Sequence, residues 1–372
     1  MIEYEGAADC AIRRHRLRHM AMRITLGMTR EIGVICGQWM TIMDETLFVC
    51  LVLCHAAGIN RRDRLVLFET ARTEAALDVL DRGRIEELVG RRLRESPDMG
   101  KAKAAAEKTA KIAGFKGIKM THYYAAAYPP LLRESYEPPA LLYYRGTLSD
   151  PEKPLVAMVG TRHPSSDGQA WAYRCGRELG EAELAVVSGL ALGIDAMSHR
   201  GNLDGGGKTV AVLGSAVDEV YPATNRPLAK RILDGGGAFI SEYPPGTRPA
   251  QWTFPERNRI IAGLARGCIV VEAPEKSGAL ITARHAVENN RDLWIGSIGA
   301  AQRKDTRLEK YGAGTRTLAS QGAKVISGAR AILADWGMES MHNPRDLEPS
   351  GPSAGAFSGG KLAEQLRKEL GL

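Results

Sequence analysis

Arginines, hydroxyl residues and glycines gather in a few short loops, and together they suit phosphate binding. One loop runs Gly160-Thr161-Arg162 and leads to Ser165, Ser166 and Gly168 at the start of a helical stretch. Glycine lets a backbone approach a ligand. Hydroxyls and free N–H groups at a helix start contact an anion, and a guanidinium adds a charged fork. A plain tight turn is the competing reading. A second loop runs from Ser188-Gly189 to Gly193-Ile194-Asp195, with His199 four residues on. Asp195 and His199 fall on one helical face. Such a pair either exchanges protons or braces the loops of its own site, and bracing is the commoner outcome.

Further along, Tyr221-Pro222 precedes Asn225 and Arg226. Beside a basic groove, Tyr221 either stacks on a base or packs within its loop. Glu242 follows an apolar stretch. The densest segment is Phe254-Pro255-Glu256-Arg257-Asn258-Arg259. It predicts a helix from residue 256 with Arg257, Asn258 and Arg259 in its first turn. Cations there oppose the helix dipole, and a bound anion relieves them. Lys276-Ser277-Gly278 opens a last helix of this kind.

Other chemistries are disfavoured. None of the six cysteines forms a CxxC pair, so no metal site is expected. The glycine spacing after Ser188 is not G-x-G-x-x-G, and no acidic residue ends the next strand to hold a ribose. No cofactor is expected, and no residue is assigned as catalytic.

The loops need a frame. Apolar strand candidates fall at 155–159, 185–188, 209–213, 238–241, 268–272, 293–295 and 324–326. Helical stretches lie between them at 167–181, 191–203, 225–234, 256–266, 278–290 and 315–321. This alternation implies an α/β fold: an extended Rossmann-like, doubly wound, mainly parallel sheet with helices on both faces. Ligands of such sheets sit beyond the carboxyl ends of the strands, where these loops lie. Residues 141–146 are expected as an added edge strand.

Four spans follow. Residues 1–42 read as an extension rich in Arg and Met. Residues 43–125 carry apolar residues at helical spacing around a Gly58-Ile59-Asn60 turn and form a small N-terminal helical domain, read first as a packing module. Residues 126–337 form the Rossmann-like domain. Residues 338–372 are a Ser/Gly/Pro-rich linker and a short amphipathic helix. The net charge of +7 fits an anionic partner, and 44% hydrophobic residues allow a sizeable core. No apolar run approaches the roughly 20 residues of a membrane span, so the protein is expected in the cytoplasm, without a membrane partner.

Taken together, these segments resemble the DNA-processing protein A family, also called Smf. The resemblance rests on Val159-Gly160-Thr161-Arg162, Ser188 to His199, Tyr221 to Asn225, Phe254 to Leu264 and Ser277 to Ala283, in the family's order. It covers roughly 126–330, and more loosely 43–100, where the family carries a sterile-alpha-motif-like domain. It implies a dimeric, non-enzymatic protein that binds and shields single-stranded DNA and loads the RecA recombinase onto it in natural transformation. Joined to the loop reading, it gives a DNA-phosphate set of Gly160, Thr161, Arg162, Ser188, Gly189, Asn225, Arg226, Arg257, Asn258, Arg259, Lys276, Ser277 and Gly278. Asp195, His199, Tyr221 and Glu242 would shape the site. The chain departs from the family pattern at Ile295, Ala223 and Arg316 and in the charged stretch Arg303 to Lys310, and its tail is short for a winged-helix domain.

Two other readings compete. A related nucleotide N-glycosidase would use Glu272 or Glu242, but the Ser277-to-Ala283 segment lacks that class's glutamate. A nucleotide sensor would bind a mononucleotide and no polymer.

Overall fold

The computed structural model describes residues 44–148, 150, 152–302 and 309–338. The expected extension, most of the charged stretch and the C-terminal linker lie outside the described residues.

Helices α1 (Glu45–His55), α2 (Arg61–Thr70), α3 (Glu74–Asp78), α4 (Arg82–Val89) and α5 (Met99–Phe115) come first, then strand β1 (Lys119–His122), helix α6 (Pro130–Arg133) and β2 (Leu141–Gly146). The alternating part follows: β3 (Leu155–Val159), α7 (Ser166–Glu181), β4 (Ala185–Ser188), α8 (Ile194–Asp204), β5 (Val210–Val212), α9 (Arg226–Asp234), β6 (Ala238–Ser241), α10 (Thr253–Leu264), β7 (Gly267–Val270), α11 (Gly278–Glu288), β8 (Asp292–Gly296), α12 (Ser297–Ala300), α13 (Ala313–Ser320), β9 (Lys324–Ile326) and α14 (Ala329–Asp335). Polar side chains at the caps set several starts. Asn60 and Asp63 form a reciprocal capping box on α2, and Ser165 and Ser277 cap α7 and α11.

The nine strands form one sheet in the order β1-β2-β6-β5-β4-β3-β7-β8-β9. β3 to β9 are parallel, with Val156 opposite Val186 and Ala157 opposite Cys268. From β3 the chain steps outward through β4, β5 and β6. It then returns to the other side of β3 with β7 and steps out again. The order therefore reverses at β3, and the loops after β3, β4 and β7 meet there. The doubly wound, mainly parallel α/β sheet expected from the alternation is the one observed.

Both faces of the sheet are covered, which is why β3 reads as an unbroken apolar run and is buried throughout. Ile260, Ile261 and Ala283 of α10 and α11 pack on Ala157 and Val270. Trp171 and Leu179 of α7 and Ile332 of α14 pack on Val156 and Met158. The N-terminal helices do not close a core of their own. Leu51 and Phe68 share one cluster with Tyr143, Ala211, Ile232 and Phe239 of the sheet layer.

Three expectations need correcting. Lys119–His122 is a strand inside a span read as helical, and it pairs antiparallel with β2. It takes the sheet edge, so 141–146 is the second strand in. Helix α10 begins at Thr253, a turn before residue 256. Thr253 Oγ1 donates to Gly214 O and also contacts Ala250 N and O, fixing the earlier start.

Candidate functional site

At the β3 reversal lies an open crevice of about 610 Å³. Its lining includes Gly160, Thr161 and Arg162 after β3, Asp195 of α8, Phe254, Arg257 and Asn258 of α10, and Lys276, Ser277 and Gly278 at the start of α11. Tyr221 lines it too, and a smaller adjoining recess adds Gly189, Leu192 and Pro222.

The cations differ in their surroundings. Arg162 and Lys276 are exposed on the rim, and among the described residues neither forms an ion pair. The Arg162 guanidinium lies 5.3 Å from the Phe254 ring centre, a cation–π contact that restrains it without neutralising it. Arg257 lies deeper, at 5% exposure. Burial lowers its pKa to about 10, Asp195 opposes the shift and Arg162 adds to it, so the guanidinium stays charged at neutral pH. It donates to Val212 O at the end of β5. Gly189 is required beside it, because a Cβ there would lie 2.2 Å from Arg257 Nη1.

Asp195 is the one carboxylate in the lining. It accepts from Gly189 N at 3.1 Å and Ala191 N at 3.4 Å, which holds the loop after β4. Burial raises its pKa, and Arg257 and the two backbone donors pull it back. Asp195 and His199 do not bond each other. His199 Nδ1 meets Thr209 Oγ1 at 2.6 Å, while that hydroxyl donates to Val186 O. Nδ1 must therefore carry the proton, leaving Nε2 bare and without a partner. Burial, reinforced by Arg257, lowers the His199 pKa to about 3. His199 is thus a neutral brace between α8 and β5.

The helix starts add partial charge. Ser277 caps α11 through Ala279 N at 3.2 Å, and Asn258 Nδ2 donates to Gly278 O at 3.1 Å. These bonds aim the N-terminal end of α11, its positive pole, into the crevice. Glu272, at the end of β7, is fully buried and accepts from Ser165 N at 2.8 Å and Ser165 Oγ at 2.6 Å. It ties the β7 and β3 loops together rather than facing a ligand.

Several expected site residues lie elsewhere. Arg257 and Arg259 are two positions apart, about 200° around a helix. Arg259 therefore points away from the crevice, to Glu242 and to Glu137 O. Glu242 shapes that contact, not the crevice. Both arginines sit in the second turn of α10, so unmet helix dipole is not what they face; Asp195 and Glu242 are. Ser188 Oγ donates to Met158 O, and Asn225 Nδ2 donates to Leu190 O and Ala191 O. Ser188 thus holds the backbone of β3, and Asn225 the loop after β4. Arg226 is exposed outside the lining. Gly160 gives room to Ile194, whose Cγ1 a Cβ would meet at 2.5 Å, rather than to a ligand. Ile295 is buried in the core, and Arg316 donates to Glu309 O at 2.9 Å; neither lines the crevice. Gln251, Pro274 and Thr282 line it without having been foreseen, since none of them is chemically conspicuous in the sequence.

Residues 119–337 match the family described as DNA recombination-mediator protein A. The chain belongs to this family. Among curated relatives, the Smf protein of Synechocystis is 42% identical over 226 residues, which is 59% of this chain and 56% of that protein. The DNA processing protein DprA of Streptococcus pneumoniae is 42% identical over 211 residues, 56% of this chain and 71% of that one. The crystal structure of the S. pneumoniae protein superimposes with a TM-score of 0.64 at 32% identity, covering 79% of this chain and 99% of that chain. DNA processing protein A of Helicobacter pylori superimposes at 0.51 with 26% identity, covering 59% and 95%, and its structure is described as revealing a single-stranded DNA binding mode. The match to the family spans every crevice loop from Gly160 to Gly278. Among the described residues no helix is long and apolar enough to cross a membrane.

Proposed function

We propose that this chain binds the backbone of single-stranded DNA in the β3 crevice, shields it, and presents it to a RecA-type recombinase during natural transformation. It acts as a homodimer in the cytoplasm and performs no catalysis. The observation that carries the reading is one crevice lined by exposed Arg162 and Lys276, which form no ion pair among the described residues, by charged Arg257 and by the N-terminal end of α11. Three cations and one engaged carboxylate in an open crevice suit a chain of phosphates. The description of the H. pylori relative supports the same ligand. Asp195 Oδ2 already takes two backbone N–H groups, and the carboxylate offsets the charge of Arg257, so it serves the loop and the guanidinium, and a strand is favoured over a dinucleotide.

Phosphate contacts carry no sequence information, so binding should be indifferent to base composition. Recombinase loading and dimerisation rest on the family relationship. The test is retention of a labelled single strand as salt rises. The account expects a steep loss, whereas tight binding of a free nucleotide with no strand binding would overturn it.

A further inference from the structure

A second cavity, of about 660 Å³, lies where the helical module meets the sheet layer, behind the start of α10. Arg61, Arg62 and Arg64 of α2, Glu242, Tyr243, Trp252 and Glu256 all line it. Its carboxylates are already engaged. Glu242 is paired with Arg61 and Arg259, Glu256 with Arg61, and Glu137 with Arg62 at 2.7 Å. The Tyr243 hydroxyl adds a bond to Glu256 at 3.2 Å. Arg64 is left over. Among the described residues its side chain forms no ion pair or hydrogen bond, and its Nε is buried without a partner. A guanidinium facing a cavity without a counter-charge is a place for an anion.

Trp252 adds a second, independent feature. It is 60% exposed, and Tyr243 holds it edge-to-face at 6.0 Å. The short segment 251–256 separates the two cavities. Gln251, Phe254 and Pro255 face the crevice, while Trp252 and Glu256 face the junction. A chain crossing this segment would pass from the crevice into a cavity lined by both the indole and the Arg64 guanidinium.

We propose that the bound strand continues over the start of α10 into the junction cavity, stacking one base on Trp252 and placing one phosphate on Arg64. This rests on the crevice reading and enlarges it: the helical module becomes part of the DNA site. Base–aromatic stacking tolerates any base, so the extension adds affinity without adding sequence preference.

The test uses the full chain with labelled oligothymidines of about 4 and about 16 nucleotides, the range a single stacking groove spans. Trp252→Ala should weaken binding of the longer oligonucleotide roughly tenfold and leave the shorter one unchanged. Arg64→Gln should lower the salt slope for the longer one by about 0.7, the share of one phosphate on a single strand, and Arg64→Lys should restore it. Arg64 has no partner to orphan, so these variants should unfold with the parent. Parent-like binding of the longer oligonucleotide by Trp252→Ala and Arg64→Gln, or equal losses at both lengths, would overturn the extension. Arg162→Ala separates the two claims. If it weakens both lengths while the junction variants do not, only the extension fails. If it too binds like the parent, the crevice reading fails and takes the extension with it.

Discussion

The two sides of helix α10 use the same residue type for opposite purposes. On the crevice side, the charge of Arg257 is offset by Asp195, and Arg162 and Lys276 in the same lining form no ion pair among the described residues. On the junction side, Arg259 is locked to Glu242, which also takes Arg61. One side keeps positive charge available. The other uses charge to bind the helical module to the sheet. An arginine-rich segment is therefore not a ligand site as a whole; its helical phase divides it into a site and a joint.

The joint is the side where substitution should cost most stability. Arg259→Ala leaves Glu242 largely buried with only Arg61, and should lower unfolding free energy by roughly 3–5 kcal/mol in urea melts. A loss below about 1 kcal/mol would mean that the ion pair is not holding the module down.

Acid should attack the buried brace behind the crevice instead. His199 is neutral in the fold down to about 3, against an ordinary value of 6.5. A depressed folded-state value means that the unfolded chain takes up the proton first as pH falls. Stability contributed by neutral His199 is therefore complete above about 6.5 and lost from there towards 3. At pH 5 the loss should be roughly 2 kcal/mol relative to pH 7. The difference between His199→Gln and the parent should shrink over the same window. A pH-independent difference would place the imidazole in a more polar setting than the structure does.

Gly189→Ala tests the fit of Arg257 itself. The added methyl meets the guanidinium, so stability should fall by about 1–3 kcal/mol and strand binding should weaken with it. Unchanged strand binding in this variant would separate Arg257 from the ligand. The smallest stability effect belongs to the rim. Arg162→Ala should unfold within about 0.5 kcal/mol of the parent, although it removes a cation central to binding.

The parallel sheet was legible because strands covered on both faces read as unbroken apolar runs, such as Leu155–Val159. Lys119–His122 was not, since a short Lys-Met-Thr-His segment is neither apolar nor alternating; pairing with β2 makes it a strand. The loops at the reversal point were also visible, because Gly160-Thr161-Arg162 and Lys276-Ser277-Gly278 stand between a strand and a helix. What sequence could not settle was helical phase. With α10 begun at residue 256, Arg257 and Arg259 fall in its first turn and look like one anion clamp. The Thr253 contacts with Gly214 and Ala250 start the helix earlier and take both arginines out of the first turn, while the half-turn between them, present in any helix, sends them to neighbours that only the fold reveals. Trp252 was missed for a similar reason: its value depends on which side of segment 251–256 it faces.

The most direct measurement is the salt dependence of single-strand binding for the parent and for the rim variant Arg162→Ala with Lys276→Ala, with folding checked by circular dichroism. Losing two phosphate contacts should weaken binding and reduce the slope of log K against log salt by about 1.4. Affinity and slope equal to the parent's in a folded variant would contradict the crevice as the DNA site.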